Sequence, residues 1–200
     1  MPDHATNLAK LIRRTGVTRS RDLAVHGIPR QYLRILETRG VIRKASRGLY
    51  VSADVANVTE GHTVAEAAKA VPGGTVCLLT ALRLHGLTTQ VPFEVWMAID
   101  PKAWKPKLDY PPIRIVRFSR NALSEGIEQR KIEGINVKLY SPAKTVADCF
   151  KYRNKIGLDV AIEALRDCLR QKRATMDDLW RMAGVCRVTN VMRPYMEALA

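Results

Sequence analysis

Arg30, Gln31 and Arg34 are three side chains with several hydrogen-bonding groups each, placed within five positions. Arginine can make two hydrogen bonds to a guanine edge, and glutamine can make two to adenine. They lie in PRQYLRILETR, where Leu33 and Leu36 recur at helical spacing. The leucines mark the buried side of that helix. Arg30 and Arg34 are one turn apart on the other side, with Gln31 between them. A helix carrying such a face reads bases with its N-terminal part in a major groove. Two further groups of residues suit phosphates. Thr18, Arg19, Ser20 and Arg21 are expected at the start of a preceding helix, where free backbone N–H groups favour an anion. Arg43, Lys44 and Arg47 form a basic tip that can track a phosphate strand or enter a minor groove.

The elements that must position these residues are legible in order. Residues 5–14 place Leu8, Leu11 and Ile12 on one helical face, and Gly16 ends the run. Thr18 suits an N-cap for a second helix, RSRDLAVH, which Gly27 stops. Leu23 and Ala24 face inward, and Ile28 plugs the turn. Pro29 sits at the first turn of the third helix, and Gly40 closes it. Val41 and Ile42 begin a strand, and Gly48-Leu49-Tyr50-Val51 return as another. Three helices and a basic hairpin predict a winged helix-turn-helix over residues 1–55, with double-stranded DNA as its partner.

Charge supports the same partner class. The chain has 33 Lys and Arg against 19 Asp and Glu, a net charge of +14. Residues 1–53 hold 11 basic and 3 acidic side chains. More than half of the excess therefore sits in about a quarter of the chain, the footprint of a nucleic-acid-binding module. The start, MPDHATNLAKLIRR, lacks the apolar stretch of a secretory signal. No apolar run reaches the roughly 18 residues a membrane span needs. A cytoplasmic location without membrane contact is expected.

Residues 56–200 read as a second, mixed domain, so the whole chain is α+β. Residues 63–71 form an amphipathic helix, and 75–85 a buried helix stopped by Gly86. VPFEVWMAID and IRIVRF read as strands around the proline-rich WKPKLDYPP. IEQRKIEGINVKLY reads as two strands joined at Glu133-Gly134. This small antiparallel sheet precedes a helical C-terminal part. Ser141 caps a helix with Pro142 at its first position, and Thr175 with Asp178 starts a later one.

No pattern in this half supports catalysis. GxxxxGK, HExxH and GxSxG are absent, as is the Gly-Ser plus spaced-carboxylate pattern of nucleotidyltransferases. Asp177-Asp178 fits a helix N-terminus. His4, His26, His62 and His85 are too scattered for a metal cluster. No cofactor, metal or catalytic residue is expected, and the chain reads as a non-enzyme. Cys77, Cys149, Cys168 and Cys186 lie in apolar patterns as small hydrophobes. His85 suits a helix C-terminus, with binding as the alternative. Asp148 lies among apolar residues on a helix and has two readings. One is a structural ion pair with Lys144 one turn earlier or with an arginine elsewhere, and the other is contact with a partner. Lys151, Arg153, Lys155, Arg170, Lys172 and Arg173 are either a solvated surface or an extension of a contact surface.

The first segment, LIRRTGVTRSRDLAVHGIPRQYLRILETRGVIRKASRGLYV, resembles the N-terminal winged helix of the AbiEi antitoxins. CLLTALRLHGLT, the strand VWMAI and LYSPAKTVADCFKYR with a helical tail are similar to the C-terminal domain of that family. The family's TLxD-like core stands here as Thr145-Val146-Ala147-Asp148, with valine for the usual leucine. The resemblance spans nearly the whole chain. It implies autorepression of a toxin–antitoxin operon through inverted repeats in the promoter. It also implies neutralisation of a nucleotidyltransferase-like toxin by residues 56–200. A stand-alone winged-helix regulator without a toxin is the alternative. Inverted repeats suggest two copies on DNA, and no dimer seam is visible in the sequence.

Overall fold

A computed structural model describes residues 4–15, 17–46, 48–53, 60–104, 106 and 111–199. The chain divides into two compact units. Residues up to Pro72 and the segments 105–113 and 130–137 belong to the first, and residues 73–104, 114–129 and 138–200 to the second. Arg47, the 54–59 connection with the boundary expected near residue 55, and most of the proline-rich loop lie outside the described residues.

The first unit opens with α1 (His4–Thr15), which buries Leu8, Leu11 and Ile12. Strand β1 (Val17–Arg19) follows, then a 3-10 turn, Asp22–His26, ended by Gly27 at φ 63°. Helix α2 (Gln31–Thr38) precedes β2 (Ile42–Ser46) and β3 (Leu49–Ser52). Helix α3 (Glu60–Ala70) completes the run. The three strands form an antiparallel sheet in the order β1-β3-β2. Leu8, Leu11, Ile12, Leu23, Ile28, Leu33, Leu36 and Ile42 make one core between the helices and the sheet.

The structure departs from expectation at Thr18. It is not an N-cap. Val17, Thr18 and Arg19 pair with Val51, Tyr50 and Leu49. Consecutive β-branched residues favour a strand, and the returning hairpin supplies its partner. Helical backbone begins only at Asp22 and lasts five residues.

Helix α3 packs on the first unit rather than opening the second. Ala70 and Ile135 lie against buried Val51 of β3. Lys69 Nζ stands 3.6 Å from Asp22 Oδ2. A sheet has two faces, and α1 and α2 cover only one.

The second unit begins with β4 (Thr75–Val76), a strand where the sequence reads as helix. The helix itself, α4 (Leu78–His85), starts later and ends at Gly86 with φ 69°. Strands β5 (Val95–Ile99) and β6 (Ile113–Arg117) are followed by a short helix, α5 (Asn121–Ser124). Strands β7 (Ile127–Ile132) and β8 (Ile135–Tyr140) come next. The sheet runs β6-β5-β4-β8-β7. It is mixed rather than antiparallel, because β4 pairs parallel to β8. Five helices follow: α6 (Pro142–Lys151), α7 (Arg153–Ile156), α8 (Leu158–Arg170), α9 (Met176–Cys186) and α10 (Thr189–Glu197). Among the described residues, no helix is long and apolar enough to cross a membrane.

Helix α6 is the centre of this unit. Every side chain from Ala143 to Phe150 is buried, and α4, α8 and α9 pack around it. The Ser141 hydroxyl accepts from Lys144 N and caps it. A helix buried all round must neutralise its charges internally. Lys144 Nζ bonds both oxygens of Asp148, at 2.7 and 2.6 Å. The ammonium also lies 4.1 Å from the Tyr140 ring centroid and 4.8 Å from that of Phe118. The Cys186 thiol donates to Asp148 Oδ1 at 3.2 Å. Burial raises the Asp148 carboxyl to about 6, with Lys144 opposing the rise. Gly126, at φ 70°, allows the close approach to α6: a Cβ there would fall 2.8 Å from Lys144 Cβ.

Removing one partner strands the other charge in the core. Asp148→Ala is expected to cost about 3–5 kcal/mol of stability. The paired replacement Lys144→Met with Asp148→Leu should cost much less. Urea unfolding of the three proteins checks this, and equal losses would contradict it.

Candidate nucleic-acid interface

Helix α2 is anchored from behind. Leu33 and Leu36 are buried in the first core, and the Tyr32 ring lies 5.2 Å from that of His4. Successive residues on a helix are about 100° apart. Gln31, Arg34 and Thr38 therefore fall on the side opposite the leucines, with Arg30 and Ile35 beside them. All five are exposed. Among the described residues, no ion pair engages Arg30 or Arg34. Arg30 is the N-cap residue, and its side chain makes no capping bond. The three residues singled out for base contacts are thus brought to one open surface.

The four residues expected at a helix N-terminus do not form that site. Thr18 is a buried strand residue. Arg19 follows it in β1, half-buried, with Nη2 enclosed and without a hydrogen bond. Burial, and then the neighbouring Arg21, lower the Arg19 pKa, while Asp22 acts against them. Ser20 N donates to Gly48 O at 2.8 Å, which ties the end of β1 to the hairpin. Arg21 is exposed, and its Nε lies 3.7 Å from Asp22 Oδ1. The first turn of the 3-10 segment already carries an anion, Asp22, between Arg21 and Lys69.

Alternation separates the cations of the β2–β3 hairpin. Side chains along a strand point to opposite faces in turn. Ile42 belongs to the core with α1 and α2, and exposed Lys44 lies on that same face. Arg43 lies on the other face with its register partner Val51. There its Nη2 stands 3.7 Å from Oε1 of Glu66 in α3. Arg43 is therefore engaged by a carboxylate, not presented at an open tip.

Glu66 was not among the expected functional residues. It is 0% exposed, and among the described residues neither oxygen has a hydrogen-bond partner. His62 Nε2 lies 3.6 Å from Oε1, while His62 Nδ1 is 2.9 Å from Glu133 Oε2. Burial pushes the Glu66 carboxyl above its usual range. His62 and Arg43 pull it back, and Glu133 adds to the rise. The sequence signal was the i,i+4 pair His62 and Glu66 in a helix otherwise rich in small residues.

Asp148 is enclosed by the Lys144 pair and presents no surface to a partner. His85 Nε2 donates to Tyr140 O at 2.7 Å. The four cysteines are buried thiols. Among the described residues, no group of three His, Cys, Asp or Glu side chains could hold a metal. Lys151, Lys155, Arg170, Lys172 and Arg173 are exposed. Arg153 is half-buried and donates to Phe150 O at 3.0 Å.

No protein-family model matches the chain, and no curated protein matches its sequence.

The folded protein holds the Glu66 proton more tightly than the unfolded chain does. Stability from this group is therefore present at low pH and is lost as pH rises through the raised value. Glu66→Gln is expected to stabilise the protein at neutral pH and to flatten the fall in stability as pH rises from the ordinary carboxylate range to neutrality. Thermal melts across that range check it. An unchanged profile would contradict the assignment.

Proposed function

We propose that the chain is a DNA-binding transcriptional repressor whose N-terminal unit is a winged helix. The order helix, strand, short turn, helix and two-stranded wing supports this reading. The observation that carries it is the open Arg30–Gln31–Arg34 face on a helix held from behind by Leu33 and Leu36. Bidentate arginine contacts to guanine and a glutamine contact to adenine are the chemistry this face offers. Lys44 and Arg21, both exposed, are suited to phosphates. The site read is an inverted repeat in the chain's own promoter.

We further propose that the second unit acts as antitoxin to a nucleotidyltransferase-like toxin. This part rests on the resemblance of the CLLTALRLHGLT, VWMAI and LYSPAKTVADCFKYR segments to AbiEi antitoxins. Asp148 is structural in this reading, so toxin contact must come from exposed residues.

Arg30→Ala and Arg34→Ala should each weaken binding to the promoter by roughly 5- to 150-fold, the equivalent of about 1–3 kcal/mol. Binding to unrelated duplex should change far less, and circular dichroism should be unaltered. Unchanged promoter affinity in both variants would overturn the base-reading assignment. For the second unit, a nucleotidyltransferase-like toxin should be encoded beside the chain's gene, and co-expression should restore growth to cells that produce it. Failure to do so would remove the antitoxin role and leave DNA binding standing.

A further inference from the structure

We infer that Ile35 reads a thymine in each half-site by covering its C5-methyl group in the major groove. The inference rests on the DNA-binding reading above and deepens it, from which helix meets the groove to which base one further residue requires.

The open face of α2 has two sides. At about 100° per residue, Arg34 and Ile35 flank Gln31, about 60° away on one side and about 40° on the other. Arg30 lies one turn before Arg34, and Ile35 one turn after Gln31. The face therefore carries a row of guanidinium groups and, beside it, an amide followed by an apolar branch. Leu33 and Leu36, on the opposite side, are 3% exposed, whereas Ile35 is 37% exposed. The core that holds the two leucines does not include Ile35.

Complementarity selects the partner group. In the major groove, base pairs present hydrogen-bond donors and acceptors, which suit arginine and glutamine, and one apolar group, the thymine methyl. On the open face of α2, Arg30, Gln31, Arg34 and Thr38 are polar and Ile35 is the apolar member. Apolar surface gains free energy when it is removed from water. Cytosine and uracil have no methyl at that place, so the contact selects thymine over cytosine and DNA over RNA. Four residues of helix advance about 6 Å, and bases along a strand follow at about 3.4 Å. The thymine accordingly lies within about two base pairs of the adenine met by Gln31.

The experiment measures promoter affinity while deoxyuridine replaces the thymines of a half-site one at a time, with the same change at the symmetric position. Deoxyuridine pairs as thymidine does and lacks only the methyl. For wild-type protein, replacement at one position should weaken binding about fourfold per half-site, the effect of uncovering about one methyl group. Ile35→Ala should bind the unmodified promoter at least about fourfold more weakly per half-site and lose nothing further at that thymine. Thr38→Ala, on the same face, should keep the wild-type response. Alanine is the better helix former and both positions are exposed, so circular dichroism should not change. Should Ile35→Ala fail to fold, Ile35→Gln, which keeps the length and removes the apolar branch, makes the same comparison.

A half-site in which no thymine responds to deoxyuridine would overturn the inference. So would wild-type promoter affinity in Ile35→Ala, since Ile35 would then lie off the DNA. Equal losses on deoxyuridine in wild type and Ile35→Ala would also overturn it, because the methyl would be met by another group. Promoter binding that depends on Arg30 and Arg34 but shows one of these three results overturns this inference alone. A wild-type protein that binds no promoter duplex overturns the repressor reading and this inference with it.

Discussion

A β-sheet has two faces, and both must be covered. This constraint governs the first unit. The strands β1, β2 and β3 are short, and so small a sheet needs packing to persist. Helices α1 and α2 cover one face with Leu8, Ile12, Leu33 and Leu36. Helix α3 approaches the other, where Val51 is fully buried against Ala70 and Ile135. The side a residue occupies is then set by odd or even position along its strand. Arg43 and Lys44 are adjacent in sequence, yet one meets a carboxylate and the other meets solvent. How much of the hairpin's charge faces solvent follows from that parity rather than from the number of cations in it.

The second unit solves a different problem. Its central helix α6 is buried on every side, which small residues such as Ala143 and Ala147 permit. Two charged residues one turn apart can enter such a helix only together. Lys144 and Asp148 do so, assisted by the Cys186 thiol and two aromatic rings. An apolar pair would suit the core as well or better on energetic grounds. The polar pair adds direction, because it links α6 to β8 through Tyr140 and to α9 through Cys186.

Local signals in the sequence translate well into this structure. Ser141-Pro142 starts α6, Thr175 and Asp178 form a reciprocal capping box, and Gly86 ends α4 in a left-handed conformation. Each works through neighbours three or four positions away. The open face of α2 was also legible, because Leu33 and Leu36 define its opposite. What depended on distant partners was not. Thr18 has a suitable cap residue's chemistry, but Tyr50 claims its backbone across more than thirty positions. Glu66 reads as one acid in an alanine-rich helix until Arg43 is placed opposite it. Asp148 kept two readings in the sequence because burial on all sides of α6 cannot be inferred from α6 alone. Parallel pairing of β4 with β8 has the same origin.

The central claim is that α2 reads a major groove, and dimethyl sulfate footprinting on the chain's own promoter tests it most directly. Dimethyl sulfate methylates guanine N7, an acceptor that lies in the major groove. Bound protein should protect particular guanines in two half-sites of an inverted repeat, about one helical turn apart or a multiple of it. Arg30→Ala or Arg34→Ala should lift the protection at one guanine per half-site. Unaltered N7 methylation under saturating protein would contradict the account, because whatever bound there would not be doing so through the Arg30–Gln31–Arg34 face.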